Sequence, residues 1–336
     1  MKILITGVSG FVGRALVNNL VETTNYQLIG IQRRTQAINI PCEIIKNFKH
    51  SQKLMSCLND VDVVIHLAGR VHRLKDKTCN RLADYREDNV ELTTQLVQKA
   101  LSSGVKRFIF VSSIKVNGNS TKKGNPFTPS FINLDYQKLS QLNLTTDKFC
   151  SLDPYAVSKF ESEHKLINLC NGTDMDFVII RPPLIYGSGV KGNFNSLIKL
   201  AYRNVPLPLA SINNQRSLVY IENFVSLLKL CIDHPKAANQ TFLVSDDCDL
   251  STSELYCTLV SLFGHKPRLY NFPNLLLKSI FFIFGKSSMY TRLCGNLQVD
   301  INKTKKSLNW SPPITVQEAL KQTVRHWLSI NNKTTI

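Results

Sequence analysis

The opening stretch of the chain constrains its fold more than any other. An apolar run over residues 2–6 is followed by a turn in which Gly7, Gly10 and Gly13 recur at every third position. The amphipathic run over residues 14–22 then indicates a helix. A glycine turn between a strand and a helix lets the backbone approach a pyrophosphate, whose charge is stabilised by the free N–H groups and the dipole of the helix. The sequence therefore predicts a βα unit that binds a dinucleotide.

The composition indicates a globular protein with a large core. The chain has 336 residues, of which 43% are hydrophobic and 19% charged, and this suggests one large α/β domain or two closely joined ones. The formal net charge of +17 raises the question of nucleic-acid binding. However, no basic run exceeds two residues and no basic stripe alternates with aromatic residues, so we predict no nucleic-acid partner. A small anionic substrate, or a plain bias toward Lys and Asn, explains the charge.

The cysteines and the apolar segments indicate the cellular compartment in which the protein is expected. The nine cysteines are scattered without any Cys-x-x-Cys, which indicates neither a disulfide framework nor a zinc site, and we predict no metal. The N-terminal apolar run is too short for a signal peptide. No apolar run reaches the roughly 18 residues of a membrane span, and we interpret the nearest approach, residues 275–284, as a buried or interfacial helix. We therefore expect a cytoplasmic protein without stable membrane insertion.

The end of the second predicted strand bears on the choice of dinucleotide. Residues 26–31 are predicted to form this strand, and an acid at its end would grip the ribose 2′-hydroxyl of NAD. Instead Gln32 is followed by Arg33 and Arg34, and arginine at this place favours the 2′-phosphate of NADP. A solvated arginine pair is the alternative interpretation. The sequence thus favours NADP over NAD.

Further candidate residues follow the other predicted strands. The third strand, residues 42–45, leads to a segment that could contact the edge of the adenine ring of the cofactor. The fourth strand, residues 61–67, is followed by small residues that let the backbone pass close to a ligand. A helix over residues 85–102 follows. The fifth strand, residues 107–111, delivers two serines to the edge of a parallel sheet at which ligands bind. The candidates from these segments are Asn47, Phe48, Leu67, Ala68, Gly69, Asn89, Ser112 and Ser113.

A tyrosine and a lysine four residues apart mark a candidate catalytic helix. Asp153 can cap this helix and Pro154 suits its first turn. Tyr155 and Lys159 then lie on one face, and the nearby ammonium is expected to lower the pKa of the phenol from about 10 toward neutrality. Such a tyrosine can move protons on and off a sugar or alcohol hydroxyl. The spacing alone is expected by chance in a chain of this composition, so its value depends on the other motifs.

Taken together, the motifs point to one family. In chain order they are Gly7-x-x-Gly10-x-x-Gly13, His66-Leu67-Ala68, Asp88-Asn89-Val90, Val111-Ser112-Ser113, Tyr155-x-x-x-Lys159, Arg181-Pro182-Pro183, and Arg216 ahead of Val219-Tyr220-Ile221. The chain resembles the extended short-chain dehydrogenases/reductases, in the NAD-dependent epimerase/dehydratase group that acts on nucleotide sugars. The resemblance covers almost the whole chain. It implies an α/β fold of Rossmann type, a doubly wound parallel sheet with a smaller, interleaved C-terminal substrate-binding region.

The resemblance also implies a division of the chain and a set of roles. An NAD(P)-binding domain would cover residues 1–180, with residues 220–247 returning to it, and residues 181–219 and 248–330 would bind the nucleotide sugar. The catalytic residues would be Ser113, which bonds the reacting sugar oxygen, Tyr155, the acid and base, and Lys159, which binds the ribose and tunes the tyrosine. A UDP-sugar is the implied partner, and a homodimer is left open.

The remaining assignments come from the same resemblance. The cofactor-binding residues would be Gly7, Ser9, Gly10, Phe11, Val12, Gly13, Arg33, Arg34, Asn47, Phe48, Leu67, Ala68, Gly69, Asn89, Ser112, Tyr155, Lys159, Pro182 and Pro183, the last lying against the nicotinamide. The substrate-binding residues would be Ser113, Asn193, Arg216 and Arg292, of which the last three would hold the uridine diphosphate. Pro183 could equally be only a turn residue, and Arg292 only a cation at a helix end.

The motifs also bear on the reaction. A dehydratase of this family carries an Asp-Glu pair just after the serine, and Ile114 and Lys115 stand there instead, which argues against dehydration. The segments around Asn117 and Leu184 resemble the subgroup that reduces UDP-4-keto-6-deoxy-N-acetylglucosamine to UDP-N-acetylquinovosamine for surface polysaccharide synthesis. The epimerases usually have tyrosine in place of Asn117 and asparagine in place of Leu184.

Two other functions stay open. One is a UDP-hexose 4-epimerase acting on UDP-glucose or UDP-N-acetylglucosamine. The other is a non-catalytic dinucleotide-sensing protein, against which the intact Ser113, Tyr155 and Lys159 speak, because a sensor needs no proton relay. The connection over residues 119–152 is long for this family, and it is interpreted as a lid, a contact surface or a disordered segment beside the site.

Overall fold

The chain folds around one parallel sheet. The computed structural model describes residues 1–45, 52–70, 81–130 and 153–331. The strands of the main sheet are β1 (Lys2–Thr6), β2 (Gln27–Gln32), β3 (Cys42–Ile44), β4 (Val63–His66), β5 (Arg107–Val111), β6 (Asp176–Arg181) and β9 (Gln240–Leu243). They lie in the order β3-β2-β1-β4-β5-β6-β9, and every neighbouring pair is parallel. A separate parallel pair joins β7 (Leu184–Tyr186) to β8 (Leu218–Tyr220).

Helices connect these strands and form the C-terminal region. They are α1 (Phe11–Thr23), α2 (Gln52–Leu58), α3 (Arg81–Tyr85), α4 (Leu92–Ser102), α5 (Pro154–Cys170), α6 (Gly192–Tyr202), α7 (Ile221–Leu230), α8 (Thr252–Leu262), α9 (Asn274–Ile283), α10 (Ser287–Cys294), α11 (Asn302–Leu308) and α12 (Val316–Asn331). A π turn, Arg86–Glu91, joins α3 to α4. Short 3₁₀ helices cover Ile114–Val116 and Pro235–Ala237.

The alternation of side chains along the strands explains why helices cover both faces of the sheet. In β1, Ile3 and Ile5 pack into one buried cluster with residues of α1 and α7. Leu4, which lies between them, packs into a separate cluster with residues of α4 and α5. Because successive side chains of a strand point to opposite faces, a strand that is apolar throughout is buried on both. The predicted doubly wound α/β fold is confirmed.

The order of the strands locates a crevice at one edge of the sheet. From β1 the chain runs to β2 and β3 on one side, and then crosses to β4, β5 and β6 on the other. Such a reversal opens a crevice at the carboxyl ends of the strands, where ligands bind in sheets of this kind. Gly7, Leu67 and Ser112 follow the ends of β1, β4 and β5. The predicted cofactor residues of these three segments therefore share one edge.

The C-terminal part of the chain is interleaved with the sheet, as predicted. Strand β9 returns to pair with β6, and Val178 is aligned with Gln240. Between these two strands the chain forms β7, α6, β8 and α7. Ser251 and Glu254 form a capping box at the start of α8, where each side chain bonds the backbone of the other residue. The boundaries of the substrate-binding region stay a prediction.

Several helices differ from the predicted ones. Helix α1 begins at Phe11 rather than at residue 14, because the glycine turn closes early, with the Gly10 amide 2.9 Å from the Gly7 carbonyl. The helix predicted over residues 85–102 is interrupted by the π turn. Helix α7 follows β8 directly and begins at Ile221.

Helix α9 corrects the interpretation of the apolar segment over residues 275–284. Leu277 is buried in a small cluster with Leu209 and Ile212, but most of the other apolar side chains of the segment are exposed. The interpretation as a buried helix is therefore wrong for most of its surface. Within the ranges that the structure describes, helices are all too short or too polar to cross a membrane.

Candidate active site

The glycine turn after β1 is packed too closely for side chains at two of its glycines. Gly7 has φ +74°, and a Cβ there would lie 2.8 Å from the Ala68 amide nitrogen. A Cβ on Gly13 would overlap the carbonyl of Gly7, so the first turn of α1 rests directly on the loop. Gly10 lies at the N-cap of α1, and no acidic residue stands in the first turn. The turn thus presents free amide groups, which can bind an anion.

A buried histidine supports this turn from beneath. His66, at the end of β4, is fully buried, with Nδ1 2.6 Å from the Thr6 hydroxyl and Nε2 3.0 Å from the Thr93 hydroxyl. The same Thr6 hydroxyl accepts a hydrogen bond from the Ala68 amide at 3.2 Å. Burial, together with the smaller effect of the nearby Lys159 charge, lowers the pKa of His66 to about 3. The imidazole is therefore neutral and joins β1, β4 and α4 at the site.

Three of the predicted cofactor residues meet around Gly69. A Cβ on Gly69 would lie 3.2 Å from Asn89 Oδ1 and 3.3 Å from Lys159 Nζ. Asn89 is buried and accepts a hydrogen bond from the Arg70 amide at 2.6 Å, while its Nδ2 donates to the Ser158 hydroxyl at 2.9 Å. It lies in the π turn, a geometry often found at functional sites. The π turn therefore holds the side-chain amide of Asn89 between the loop after β4 and helix α5.

The end of β2 carries the residues on which the choice of dinucleotide depends. Arg33 and Arg34 are both exposed, and an Arg33 guanidinium nitrogen lies 3.4 Å from an Asp88 carboxylate oxygen. Gln32 precedes them, and its Oε1 is buried without a hydrogen-bond partner among the described residues. Gln32 is not among the predicted cofactor residues, although its place at the end of β2 is the signal that could have found it. Asn47 and Phe48 lie outside the described residues.

The start of α5 is built as the sequence predicted. Asp153 caps the helix, with its Oδ1 accepting from the Tyr155 amide at 3.1 Å, and Pro154 lies in the first turn. The other oxygen of Asp153 pairs with Lys115 Nζ at 2.5 Å. This ammonium also lies 5.5 Å from the centre of the Tyr155 ring. Lys115, which sequence analysis considered only as the absence of an acid, therefore helps to hold the tyrosine in place.

The environment of Tyr155 differs from the prediction. Burial raises the pKa of Tyr155 to about 12, and the hydrogen bond from Ser113 only partly opposes this. Lys159 Nζ donates instead to the Val111 carbonyl at 2.9 Å and lies 4.5 Å from the centre of the Phe110 ring. Burial in turn lowers the pKa of Lys159 to about 8. The expectation that Lys159 lowers the pKa of Tyr155 is wrong for this structure, because desolvation is the larger effect.

Two serines follow β5, and they have different surroundings. Ser113 is within hydrogen-bonding reach of Tyr155, and its hydroxyl also accepts from the Lys115 amide at 3.3 Å. Ser112 is buried, and its hydroxyl has no hydrogen-bond partner among the described residues. A buried hydroxyl without a partner is costly unless a ligand satisfies it. The structure thus places Ser113 beside the tyrosine and leaves Ser112 available to a ligand.

A buried ion pair joins the catalytic helix to β6. Arg181 and Glu163 are only 3% and 2% exposed, and they approach to 2.6 Å. Arg181 also donates to Asn117 Oδ1 and to the Pro129 carbonyl, both at 3.2 Å. Pro182 and Pro183, which follow Arg181, are both buried. Asn117, where epimerases of this family usually have tyrosine, is therefore part of the support of the site.

The predicted diphosphate site contains two arginines of like charge. Arg216 donates to the Gly295 carbonyl at 2.9 Å, and burial together with the nearby charge of Arg292 lowers its pKa. Arg292 is exposed on α10. In the described part of the chain neither of them is in an ion pair with a carboxylate. Asn193 is exposed in the first turn of α6, and no hydrogen bond among the described residues joins it to the arginines.

A dinucleotide-binding sheet edge that carries serine, tyrosine and lysine at one place defines an extended short-chain dehydrogenase/reductase. The chain belongs to the NAD dependent epimerase/dehydratase family, whose model matches residues 3–245. It is 42% identical over 336 residues to UDP-glucose 4-epimerase of Vibrio cholerae, with 99% of this chain and 97% of the relative covered. The predicted resemblance is confirmed.

More distant proteins share the fold. The chain is 25% identical over 339 residues to N-acetyl-alpha-D-glucosaminyl-diphospho-ditrans,octacis-undecaprenol 4-epimerase of Escherichia coli O157:H7, covering 97% of this chain and 95% of the relative. The crystal structure of UDP-glucuronic acid 4-epimerase from Bacillus cereus, in complex with NAD, has a TM-score of 0.74. It is 19% identical and covers 98% of this chain and 99% of its own. At that identity the likeness concerns the fold alone.

Proposed function

We propose that this protein is an NAD(P)-dependent enzyme acting at C4 of a UDP-sugar, and that it interconverts the two C4 epimers. The similarity to the Vibrio cholerae epimerase over nearly the whole chain carries this proposal. It is supported by the placement of Ser113 beside Tyr155 at the carboxyl edge of the sheet. These two hydroxyls are of the kind that the oxidation of a sugar hydroxyl requires.

The residues at the sheet edge fit a bound dinucleotide. The close packing at Gly7 and Gly13 leaves room only for backbone beneath the turn, so a pyrophosphate can approach the amides of α1. The buried hydroxyl of Ser112 and the buried Oε1 of Gln32 each lack a hydrogen-bond partner among the described residues, and a ligand in the crevice would supply one. When bound, the nicotinamide would take a hydride from C4 of the sugar and return it.

The proton at the sugar oxygen would be handled by this chain's own side chains. Tyr155 would take the proton of the C4 hydroxyl and give it back, while Ser113 bonds the same oxygen. Lys115 lies 5.5 Å from the centre of the Tyr155 ring and helps to hold it in place, and Lys159 would bind the ribose of the cofactor. The 4-keto sugar must then turn within the site, so that its other face receives the hydride.

Reduction of a 4-keto sugar is the second candidate. It is supported by Asn117 and Leu184, which stand where the epimerases of this family usually have tyrosine and asparagine. Asn117 is buried and bonded to Arg181 and to the Thr128 carbonyl, so a tyrosine would not fit there without rearrangement. A reductase releases its product and must reload its cofactor at every turnover. Dehydration is disfavoured, since Lys115 takes the place of an acid.

The two reactions can be separated by following the cofactor. We expect purified protein to convert UDP-glucose or UDP-N-acetylglucosamine to its C4 epimer without added dinucleotide, and to release bound nicotinamide when it is denatured. Loss of nicotinamide absorbance in proportion to added UDP-4-keto-6-deoxy-N-acetylglucosamine, with no epimerisation of either hexose, would establish the reductase instead. Turnover of none of these sugars would favour the sensing protein.

We further propose that NADP is preferred over NAD, because Arg33 and Arg34 are exposed at the end of β2. A charge-assisted hydrogen bond to a 2′-phosphate contributes about 1.5–3 kcal/mol, or roughly tenfold to a hundredfold in affinity. Binding constants for the two dinucleotides should therefore differ by about this factor in the wild type and converge in Arg33→Ala/Arg34→Ala. Arg203→Ala, an exposed arginine outside the sheet edge, is the matched control. Equal affinities in the wild type would show the arginines to be solvated only.

A further inference from the structure

Helices α9 and α10 form a hairpin that exposes an unusual amount of apolar surface. We call residues 274–294 the apolar hairpin. Leu275, Phe282, Ile283 and Phe284 are between 71% and 77% exposed, and Leu276 and Ile280 are exposed as well. Contiguous exposed apolar residues of this size mark interaction sites in soluble proteins.

Helix α9 of the hairpin packs against the protein through one face. Leu277 and Phe281 are one turn apart and point toward Leu209, Ile212 and Tyr290. The remaining apolar side chains of α9 lie around the rest of its circumference. A surface helix of a soluble protein normally carries charged and polar residues there. The attached face therefore accounts for the fold of the hairpin, and the exposed face requires another explanation.

The charges near the hairpin have a single sign. Between Glu254 and Asp300 the sequence contains no acidic residue. The cations in this interval are all exposed, and they are Lys266, Arg268, Lys278, Lys286 and Arg292. In the described part of the chain none of them is in an ion pair. Apolar side chains bordered by unpaired cations are complementary to a surface that is apolar within and anionic at its rim.

A second copy of this chain does not fit that requirement. A two-fold interface places the same patch of both subunits face to face. Lys278 and Lys286 of one hairpin would then approach like charges of the other without a carboxylate between them. A membrane span is excluded as well, because a helix of ten residues such as α9 is about 15 Å long, half the thickness of the hydrocarbon core.

We propose that the apolar hairpin docks the protein reversibly on the surface of an anionic lipid bilayer. Phe282, Ile283 and Phe284 enter the boundary between headgroups and acyl chains, where an interfacial helix buries its apolar face. Lys278 and Lys286 contact the anionic headgroups. The hairpin needs no rearrangement to do so, since these side chains already point away from the core.

Docking would bring one of the candidate diphosphate residues to the membrane. Arg292 lies on α10, the second helix of the hairpin, and its charge acts on Arg216. The substrate region would therefore face the bilayer rather than the solvent. A sugar diphosphate produced or consumed at the membrane surface would then have a short path to the site.

Vesicle flotation of the full-length protein tests the proposal. Wild type is mixed with vesicles of phosphatidylcholine alone, or of phosphatidylcholine with phosphatidylglycerol, at low and at high salt. We expect binding to the anionic vesicles that weakens as salt rises. Phe282→Ser/Ile283→Ser should lower the partition coefficient by about a hundredfold or more, since each side chain contributes more than about tenfold. Lys278→Gln/Lys286→Gln should lower it by about 30-fold on anionic vesicles only.

The controls separate docking from misfolding and from dimerisation. Val21→Ser removes an exposed apolar side chain on α1 and should leave flotation unchanged. The thermal unfolding midpoint of Phe282→Ser/Ile283→Ser should equal that of the wild type, because neither side chain is buried. Failure of the wild type to float with anionic vesicles at low salt, or equal flotation of that variant, overturns the proposal. So does light scattering that finds the wild type dimeric and the variant monomeric.

Discussion

The sheet edge and the C-terminal hairpin differ in whether their charged side chains are paired. At the edge, the buried Arg181 is paired with Glu163, and Lys115 is paired with Asp153. On the hairpin, Lys278, Lys286 and Arg292 are exposed and have no carboxylate partner in the part of the chain that the structure describes. A buried charge must be paired to be tolerated, whereas an unpaired cation near the surface is available to an external anion. The contrast indicates that the charges of the sheet edge are already paired before a ligand binds. The cations of the hairpin gain partners only when an external anion binds.

Removal of the tyrosine hydroxyl should have the largest effect at the sheet edge. We expect Tyr155→Phe to lower turnover by about 10²- to 10⁴-fold, since only the proton-bearing oxygen is lost. Dinucleotide affinity should change little, and isothermal titration with NAD and NADP would measure it. Tyr290→Phe, on α10, is the matched control and should retain full activity. Wild-type turnover in Tyr155→Phe would contradict the catalytic assignment.

Breaking the buried ion pair tests whether the edge depends on paired charge. Glu163→Gln should reduce the free energy of unfolding by about 3–5 kcal/mol, because it leaves the Arg181 guanidinium buried without its counter-ion. Denaturant titration gives this value. The double variant Glu163→Leu/Arg181→Met should lose less than the single variant, since no charge then stays buried.

A surface pair supplies the comparison for that experiment. Lys305 and Asp247 approach to 2.6 Å but are 37% and 47% exposed. Asp247→Asn should therefore cost less than about 1 kcal/mol. Similar losses for Asp247→Asn and Glu163→Gln would contradict the view that burial makes the edge pair important.

Low pH should lower the free energy of unfolding, because His66 is buried in its neutral form beneath the sheet edge. Its pKa is lowered to about 3 in the folded chain, whereas an unfolded histidine titrates near 6.5. Between these values the unfolded state binds the additional proton, so stability falls as pH falls from about 6.5, by about 1.4 kcal/mol per pH unit at most. The slope of unfolding free energy against pH should be smaller in His66→Gln. Parallel curves for wild type and variant would exclude this contribution.

A smaller effect is expected at the hairpin, the second of the two regions compared. Arg292→Ala should raise KM for the UDP-sugar by about tenfold, as one charge-assisted contact is lost, and leave the unfolding free energy unchanged because the side chain is exposed. Steady-state kinetics gives the first value and denaturant titration the second. Lys321→Ala, an exposed cation on α12, should change neither. An unchanged KM in Arg292→Ala would remove this residue from the substrate site.

Local patterns in the sequence predicted the fold well, because they depend on neighbours in the chain. The glycine turn, the apolar strands and the cap at Asp153 are of this kind, and the structure contains all of them. The pKa of Tyr155 could not be predicted in this way. It depends on how deeply the ring is enclosed and on which atoms Lys159 reaches, and the Val111 carbonyl that takes the ammonium is remote in sequence.

The sequence left open, for the same reason, whether the apolar segment of α9 is buried or interfacial. Its sequence is apolar on nearly all sides, a pattern typical of a buried helix, and so does not show which side is exposed. Only the packing of Leu277 against Leu209 and Ile212 shows which side is covered. The roles of Ser113, Asn193, Arg216 and Arg292 toward substrate stay predictions until the experiments above are done.

The π turn before α4 sets a constraint on the length of the chain at this point. A π turn accommodates one residue more than an α-helix does over the same rise. Deletion of a single residue within Arg86–Glu91 would let the segment close as a continuous α-helix. The flanking helical segments would keep their relative orientation, because the π turn is what absorbs the additional residue, but Asn89 lies within the turn and would lose its alignment with Gly69 and Ser158. Insertions and deletions should therefore be tolerated far less here than substitutions.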